Sequence, residues 1–183
     1  MKKLVIAIDC DDVLVATTPF FVDAYNATYG TTIALEDAMD ESEELWNAPR
    51  AVLYERLAAI AETSEYALLG LAEEEVAILS TVSKQHSLHL VTARKPEERT
   101  RTQAMLDREV PGIFTSLDFV GWEGSKGQVC TAIAADILID DRVEHLQDAI
   151  KCGMPKEHVI LFGDYPWNEY TSEKVGDMKR CRN

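Results

Sequence analysis

Four groups of polar residues in this chain are of the types that handle phosphate and a hard cation. They are Asp9 and Asp11 in Asp9-Cys10-Asp11-Asp12-Val13-Leu14, Thr92 in Val91-Thr92-Ala93-Arg94, Lys126, and the pair Asp140-Asp141. One carboxylate can attack phosphorus while a second moves a proton. The Thr92 hydroxyl and backbone N–H groups around Ala93 can donate to phosphate oxygens, and Lys126 supplies a fixed positive charge. Asp9, Asp11, Asp140 and Asp141 gathered in one cleft would repel by roughly 4 kcal/mol per pair at about 4 Å and an effective dielectric of about 20, so the grouping calls for a cation. Carboxylate oxygens with no Cys or His among them favour Mg²⁺. Each group alone is a weak signal, since D-x-D occurs on many protein surfaces; their joint placement carries the reading.

That placement depends on the elements before each group. Leu4-Val5-Ile6-Ala7-Ile8 is short, continuously apolar and partly β-branched, the pattern of a strand buried on both faces, and it runs directly into Asp9. Similar runs recur at His89-Leu90-Val91, Leu117-Asp118-Phe119-Val120, Ile137-Leu138-Ile139 and Val159-Ile160-Leu161-Phe162, each after a segment of helical period. Strand alternating with helix predicts an α/β fold with a Rossmann-like parallel sheet, whose carboxyl edge gathers all four polar groups. If the chain stays extended past Asp9, then Asp9 and Asp11 share one side while Cys10 and Asp12 point away.

Helix starts are expected at Pro96-Glu97-Glu98 and after Ser125 as N-cap, and Gly153 with Pro155 should close the helix that begins near Val143. Residues 18–71 break the alternation. They read as helices only, through Pro19 to Tyr29 and Pro49 to Ala61, with Leu53, Leu57 and Ile60 on one face. The expected division is therefore a core of residues 1–17 and 72–183 carrying a helical insertion, 18–71, between the first two strands. The acidic stretch Glu36 to Glu44 reads as a solvated loop or face, and the tail beyond Tyr170 has no assigned element.

A net charge of -14 with scattered basic residues argues against a nucleic-acid polymer as partner. No apolar run is long enough for a membrane span, so a cytoplasmic, soluble protein is expected. Cys10, Cys130, Cys152 and Cys181 show no C-x-x-C spacing and read as reduced thiols. His86 and His89 are three apart, but a helix-to-strand boundary between them opposes a shared metal site.

On these motifs the sequence resembles the haloacid dehalogenase superfamily of phosphohydrolases, from Leu4 to about Asn168. The resemblance implies Asp9 as nucleophile, Asp11 as general acid/base, Thr92 as phosphate-contacting hydroxyl and Lys126 as cationic clamp. It implies Mg²⁺ held by Asp141, a carboxylate oxygen of Asp9 and the backbone carbonyl of Asp11, with Asp140 in support, and it makes the helical insertion a cap. Asp9-Cys10-Asp11-Asp12-Val13-Leu14, Val91-Thr92-Ala93-Arg94 and Ile139-Asp140-Asp141-Arg142 look most like the 5'-nucleotidase branch with its 5'(3')-deoxyribonucleotidases, and Leu161-Phe162-Gly163-Asp164-Tyr165-Pro166-Trp167-Asn168 is similar to bacterial members. Two positions depart from that pattern: Asp12 stands where Gly is common, and Thr17 where animal deoxyribonucleotidases place a base-stacking Phe. Phe20, Phe21, Tyr25, Trp46 and Tyr54 could form a stacking platform or a helical core. The expected substrate is a small phosphorylated metabolite, with a nucleoside monophosphate favoured. Phosphotransfer to another hydroxyl, a receiver-type signalling domain and a silent phosphate-binding module are the alternatives.

Overall fold

Short apolar strands that follow helices of matching length must be covered on both faces, and the chain builds such a sheet. The computed structural model describes residues 2–169 and 178–181. Five strands form where the apolar runs lie: β1 (Val5–Ile8), β2 (Ser87–Thr92), β3 (Phe114–Phe119), β4 (Ile137–Asp140) and β5 (Val159–Phe162). A sixth, β6 (Lys179–Cys181), comes from the polar tail. All pair in parallel in the order β3-β2-β1-β4-β5-β6, a doubly wound arrangement.

After β1 the chain enters α1 (Thr17–Tyr29), α2 (Glu43–Trp46), α3 (Arg50–Ala61) and α4 (Ser64–Leu68), and then returns through α5 (Glu73–Val82) to β2. The remaining helices are α6 (Arg99–Glu109), α7 (Lys126–Ala132), α8 (Val143–Lys151) and α9 (Pro166–Glu169). The chain divides into two compact units, one of residues 1–15 and 70–183 and one of residues 16–69.

The sheet unit is held by Ala7, Val91, Leu138, Val159 and Leu161 from four strands, packed with Cys130 of α7 and Val143, Leu146 and Ala149 of α8. Register fixes the strand ends. Ile8 lies beside both Leu90 and Ile139, so the next residues, Asp9 and Asp140, emerge side by side at the carboxyl edge. The order of winding reverses between β1 and β4, and ligands of open α/β sheets bind at that crevice.

The helical unit has its own core of Val22, Tyr25, Ile33, Trp46, Leu53 and Ile60, with Phe20, Phe21 and Leu57 against it. The expected Leu53 and Ile60 face is therefore buried, with Leu57 beside it. Of the aromatics, Tyr25 and Trp46 are core residues in edge contact at 4.8 Å, and the Tyr25 hydroxyl donates to the Trp46 carbonyl. The acidic stretch from Glu36 to Glu44 starts in a 3-10 turn at Leu35–Asp37, continues as loop through Ser42, and ends in the first turn of α2 with Glu43 and Glu44.

Several local expectations hold and others need correction. Ser125 caps α7, its Oγ accepting from Gln128 N at 3.0 Å, and Gly153 follows α8 with φ +101. Pro96 opens a 3-10 turn, Pro96–Glu98, and α6 begins only at Arg99. β3 starts at Phe114, three residues ahead of the expected Leu117; it is a sheet edge, so its polar Thr115 and Ser116 need no apolar cover. His86 accepts from Leu4 N before β2 begins, whereas His89 lies within β2 and bonds Ser116 of β3, so the two share no ligand face. Residues 170–177 of the tail lie outside the described residues. All four cysteines are free, and no helix among the described residues is long and apolar enough to cross a membrane.

α7 and α8 approach closely at Gly127. A Cβ there would stand 2.7 Å from the Asp148 carbonyl oxygen, 2.8 Å from Cys152 Sγ and 2.9 Å from Ala149 Cα. Gly127→Ala should therefore force the helices apart and cost about 1–3 kcal/mol in denaturant unfolding, the usual range for overpacking. Unchanged stability would show that the helix contact yields freely.

Candidate active site

β1 delivers Asp9 by a strand bond, Asp9 N donating to the Ile139 carbonyl at 3.0 Å. Beyond it the chain does not stay extended. Leu14 and Val15 N–H groups donate to the Cys10 carbonyl, Asp12 N donates to the Val15 carbonyl, and Asp11 bridges to Val15. This tight turn requires φ +58 at Asp12, a left-handed conformation in which Gly is unstrained and which Asp tolerates better than most residues. A Gly would meet the same turn without strain, and Asp12 meets it in a second way. Cys10 points into the core, fully buried, and burial pushes its thiol far above the usual range.

Lys126, first residue of α7, is fully buried. Its ammonium lies 2.7 Å from Asp140 Oδ2 and 2.8 Å from Asp9 Oδ1, a bridge across the two central strands. The first contact is an aligned hydrogen bond; the second is an ion pair without hydrogen-bond alignment. Asp140 is satisfied further, because its Oδ1 accepts from Arg142 N at 2.9 Å and lies 3.1 Å from His145 Nδ1. Burial opposes its ionisation, but Lys126 and His145 outweigh that and hold its carboxyl at about 2. Burial also opposes the charge on Lys126, yet Asp140 and Asp9 keep it protonated above the ordinary lysine range.

Asp9 and Asp141 are less well compensated. Burial pushes Asp9 up to about 7 against the pull of Lys126, with repulsion from Asp140 and Asp11 adding to it. Burial pushes Asp141 up to about 9, reinforced by Asp140, Asp9 and Asp12 and resisted by the Trp167 indole N–H.

Asp11 has a separate partner. Arg94 grips it as a fork, Nη2 to Oδ1 at 2.7 Å and Nε to Oδ2 at 3.0 Å, the two-pronged geometry only a guanidinium supplies. The Arg94 side chain is 7% exposed and that of Asp11 29%, so the acid reaches solvent while its holder does not. Arg94 is fixed in turn through Nη1 to Thr102 Oγ1, whose hydroxyl donates to the Glu98 carbonyl. Thr92 is buried, and its hydroxyl accepts from Arg94 N at 3.1 Å, leaving its own proton to donate; Ala93 is half-buried beside it.

The structure thus joins Asp9, Lys126 and Asp140 directly, and pairs Asp11 with Arg94 next to Thr92. Arg94, His145, Trp167 and Thr102 were not among the residues singled out as site candidates. His145 corrects the expectation that no histidine stands among the acids: its ring nitrogen and carboxylate oxygens of Asp9 and Asp140 lie within 4.8 Å of one another. That trio is the tightest grouping of ligand-type atoms among the described residues, but both Asp140 oxygens are already engaged by Lys126, Arg142 and His145. Asp9 and Asp141 are the two buried carboxylates whose charge is least offset.

No family model and no curated protein matches the sequence. Solved structures do. A Clostridium acetobutylicum protein named as a predicted phosphatase superposes with TM-score 0.69 at 12% identity, over 100% of this chain and 95% of that one. A Thermotoga maritima protein with the provisional name β-phosphoglucomutase gives 0.67 at 16% identity, covering 98% and 94%. A hydrolase of the haloacid dehalogenase-like family from Streptococcus pneumoniae gives 0.66 at 12% identity, covering 97% and 93%. At these identities the likeness shows the fold: a parallel α/β sheet of the haloacid dehalogenase type.

The buried acids predict a pH signature for the metal-free protein. A carboxyl whose folded pKa is raised adds stability that is complete below its unfolded value near 3.8 and is lost as pH rises through the folded value, about 7 for Asp9 and about 9 for Asp141. Asp140, held down, contributes fully above 3.8 and stays constant over this window. In chelator, stability should therefore fall from about pH 5 to about pH 9, more steeply below pH 7 than above it, read from denaturant midpoints. A flat or rising profile would mean that these carboxyls ionise freely.

Proposed function

We propose that this protein is a Mg²⁺-dependent phosphomonoester hydrolase of the haloacid dehalogenase type. The single observation that supports this most is the buried Lys126 bridge between Asp9 and Asp140, with Asp11 held beside it by Arg94 at the crevice between β1 and β4. A nucleophile clamped by an ammonium, next to a second, solvent-reaching acid, is what two-step phosphoryl transfer needs. The names borne by the superposed structures, a phosphatase, a mutase and a hydrolase, agree with it. On the same reading, the helical unit of residues 16–69 is the counterpart of the family's cap.

The donor set fits a hard divalent cation. Asp9, Asp140 and Asp141 are all buried, and a single buried ammonium faces Asp9 and Asp140. Asp9, Asp141 and the backbone carbonyl of Asp11 would hold Mg²⁺, with Asp140 orienting Lys126. When bound, the ion neutralises phosphoryl oxygens and lowers the charge that an anionic nucleophile must approach.

The chain's own groups then carry the steps. A carboxylate oxygen of Asp9 forms a bond to phosphorus as the ester P–O bond breaks, and Asp11 delivers a proton to the leaving oxygen. Asp11 next removes a proton from water, which attacks the aspartyl-phosphate and frees Asp9 and inorganic phosphate. The Arg94 fork keeps the Asp11 carboxyl in one orientation for both transfers. Lys126 and the Thr92 hydroxyl, with backbone N–H groups near Ala93, stabilise charge on the transferring group.

A 5'-nucleotidase-type substrate is supported by the sequence motifs alone, while the superposed structures bear other names. The Thermotoga maritima name keeps transfer to a sugar hydroxyl as a second reading, because the same intermediate can be opened by water or by an alcohol.

Asp9→Asn should abolish Mg²⁺-dependent phosphate release, a loss of at least about 10⁴-fold in kcat, across deoxynucleotide, ribonucleotide, sugar and aryl phosphates. Asp11→Asn should still phosphorylate on an aryl ester with a good leaving group, and should then accumulate covalent phosphate. Turnover by Asp9→Asn equal to that of the unaltered protein would remove the covalent step.

A further inference from the structure

The run Leu161-Phe162-Gly163-Asp164-Tyr165-Pro166-Trp167-Asn168 ends β5 and takes no part in the chemistry above, yet its conformation is closely specified. Gly163 has φ +77, and a Cβ on it would meet the Tyr165 ring at 2.5 Å. The Asn168 side-chain amide donates to the carbonyls of Phe162 and Gly163 at 3.0 and 3.1 Å, and its backbone N–H donates to the Tyr165 carbonyl. Gly163 N donates to the Cys181 carbonyl of β6, and Arg180 of the same strand donates to the Asn168 carbonyl. Inside this frame the Tyr165 and Trp167 rings stack at 4.5 Å with 5° between their planes. The stack fixes where the indole N–H points: Nε1 donates to Asp141 Oδ2 at 2.8 Å, with Trp167 8% and Asp141 3% exposed.

We infer that Trp167 is a positioning residue that makes Asp141 a one-oxygen ligand and thereby biases the site toward Mg²⁺ over Ca²⁺. An indole can only donate, so it cannot compete for the ion. By occupying Oδ2 it leaves Oδ1 to the cation. Mg²⁺ takes single carboxylate oxygens in a compact octahedron, whereas Ca²⁺ gains from carboxylates that can turn both oxygens toward it. A hydrogen bond that blocks the two-oxygen mode disfavours the larger ion. This inference rests on the reading of Asp141 as a cation ligand and adds to it a device for choosing the ion.

The test uses the full chain, with Mg²⁺ and Ca²⁺ titrated separately by calorimetry. Trp167→Phe keeps the stack on Tyr165 and removes only the donor. It should weaken Mg²⁺ binding about 10-fold, as loss of a ligand's hydrogen-bond partner does, and weaken Ca²⁺ binding less, so the ratio of the two affinities narrows. Affinities that stay unchanged, or that fall equally for both ions, would overturn the inference while leaving the hydrolase reading intact. Failure of the unaltered protein to bind Mg²⁺ would remove both. A second measurement needs no altered Trp167. The chain has three tryptophans, so ¹⁵N-indole spectra are simple, and Trp46→Phe with Trp122→Phe assigns the remaining Nε1–H signal to Trp167. That signal should shift on Mg²⁺ addition; a Trp167 signal unmoved at saturating Mg²⁺ would also overturn the inference.

Discussion

A fully buried ammonium is tolerable only where anions meet it, and the carboxyl edge of this sheet is organised around that demand. Lys126 stands between Asp9 and Asp140, which the register of β1 and β4 places level with each other. Removing one member would strand the others without water or counter-charge, at a cost of about 3–5 kcal/mol for a buried pair. The bridge also leaves an imbalance. Asp9, Asp140 and Asp141 are all buried near Lys126, and burial together with their mutual repulsion raises the carboxyls of Asp9 and Asp141.

The two acids of the first motif have different surroundings although one residue separates them. Asp9 is sealed between strands, beside a lysine. Asp11, beyond the strand end, partly meets solvent and is gripped by a guanidinium anchored through Thr102. The left-handed Asp12 that follows turns the chain back, so that Val15 bridges to Asp11. Two acids one residue apart thus sit in contrasting environments, one closed to solvent and one reaching it.

The sheet and the ends of its strands were legible in the sequence because buried parallel strands are short apolar runs, and the polar residue after each run is conspicuous. Lys126 was legible through its N-cap, since Ser125 marks where a helix starts. What escaped were contacts made by single polar side chains across long separations. Arg94 reaches Asp11 over 83 residues, and Trp167 reaches Asp141 over 26. No periodicity announces such pairs, because each depends on two loops meeting in space. The extended reading of Asp9 to Asp12 failed for a related reason: the turn is fixed by bonds from Asp12 and Val15, which strand alternation does not encode. β6 was missed because Lys179, Arg180 and Cys181 are exposed at a sheet edge and need no apolar pattern.

The central position of β1 has a consequence for the chain during synthesis. It leaves the ribosome before the strands it pairs with, which begin at Ser87 and Ile137, so both of its hydrogen-bonding edges wait for later segments. Lys126 is made between those two strands and Asp140 at the end of the second, so Asp9 waits for its counter-charge until α7 is synthesised. The nascent strand is a segment for which solvent, or a chaperone, must stand in for the missing partners.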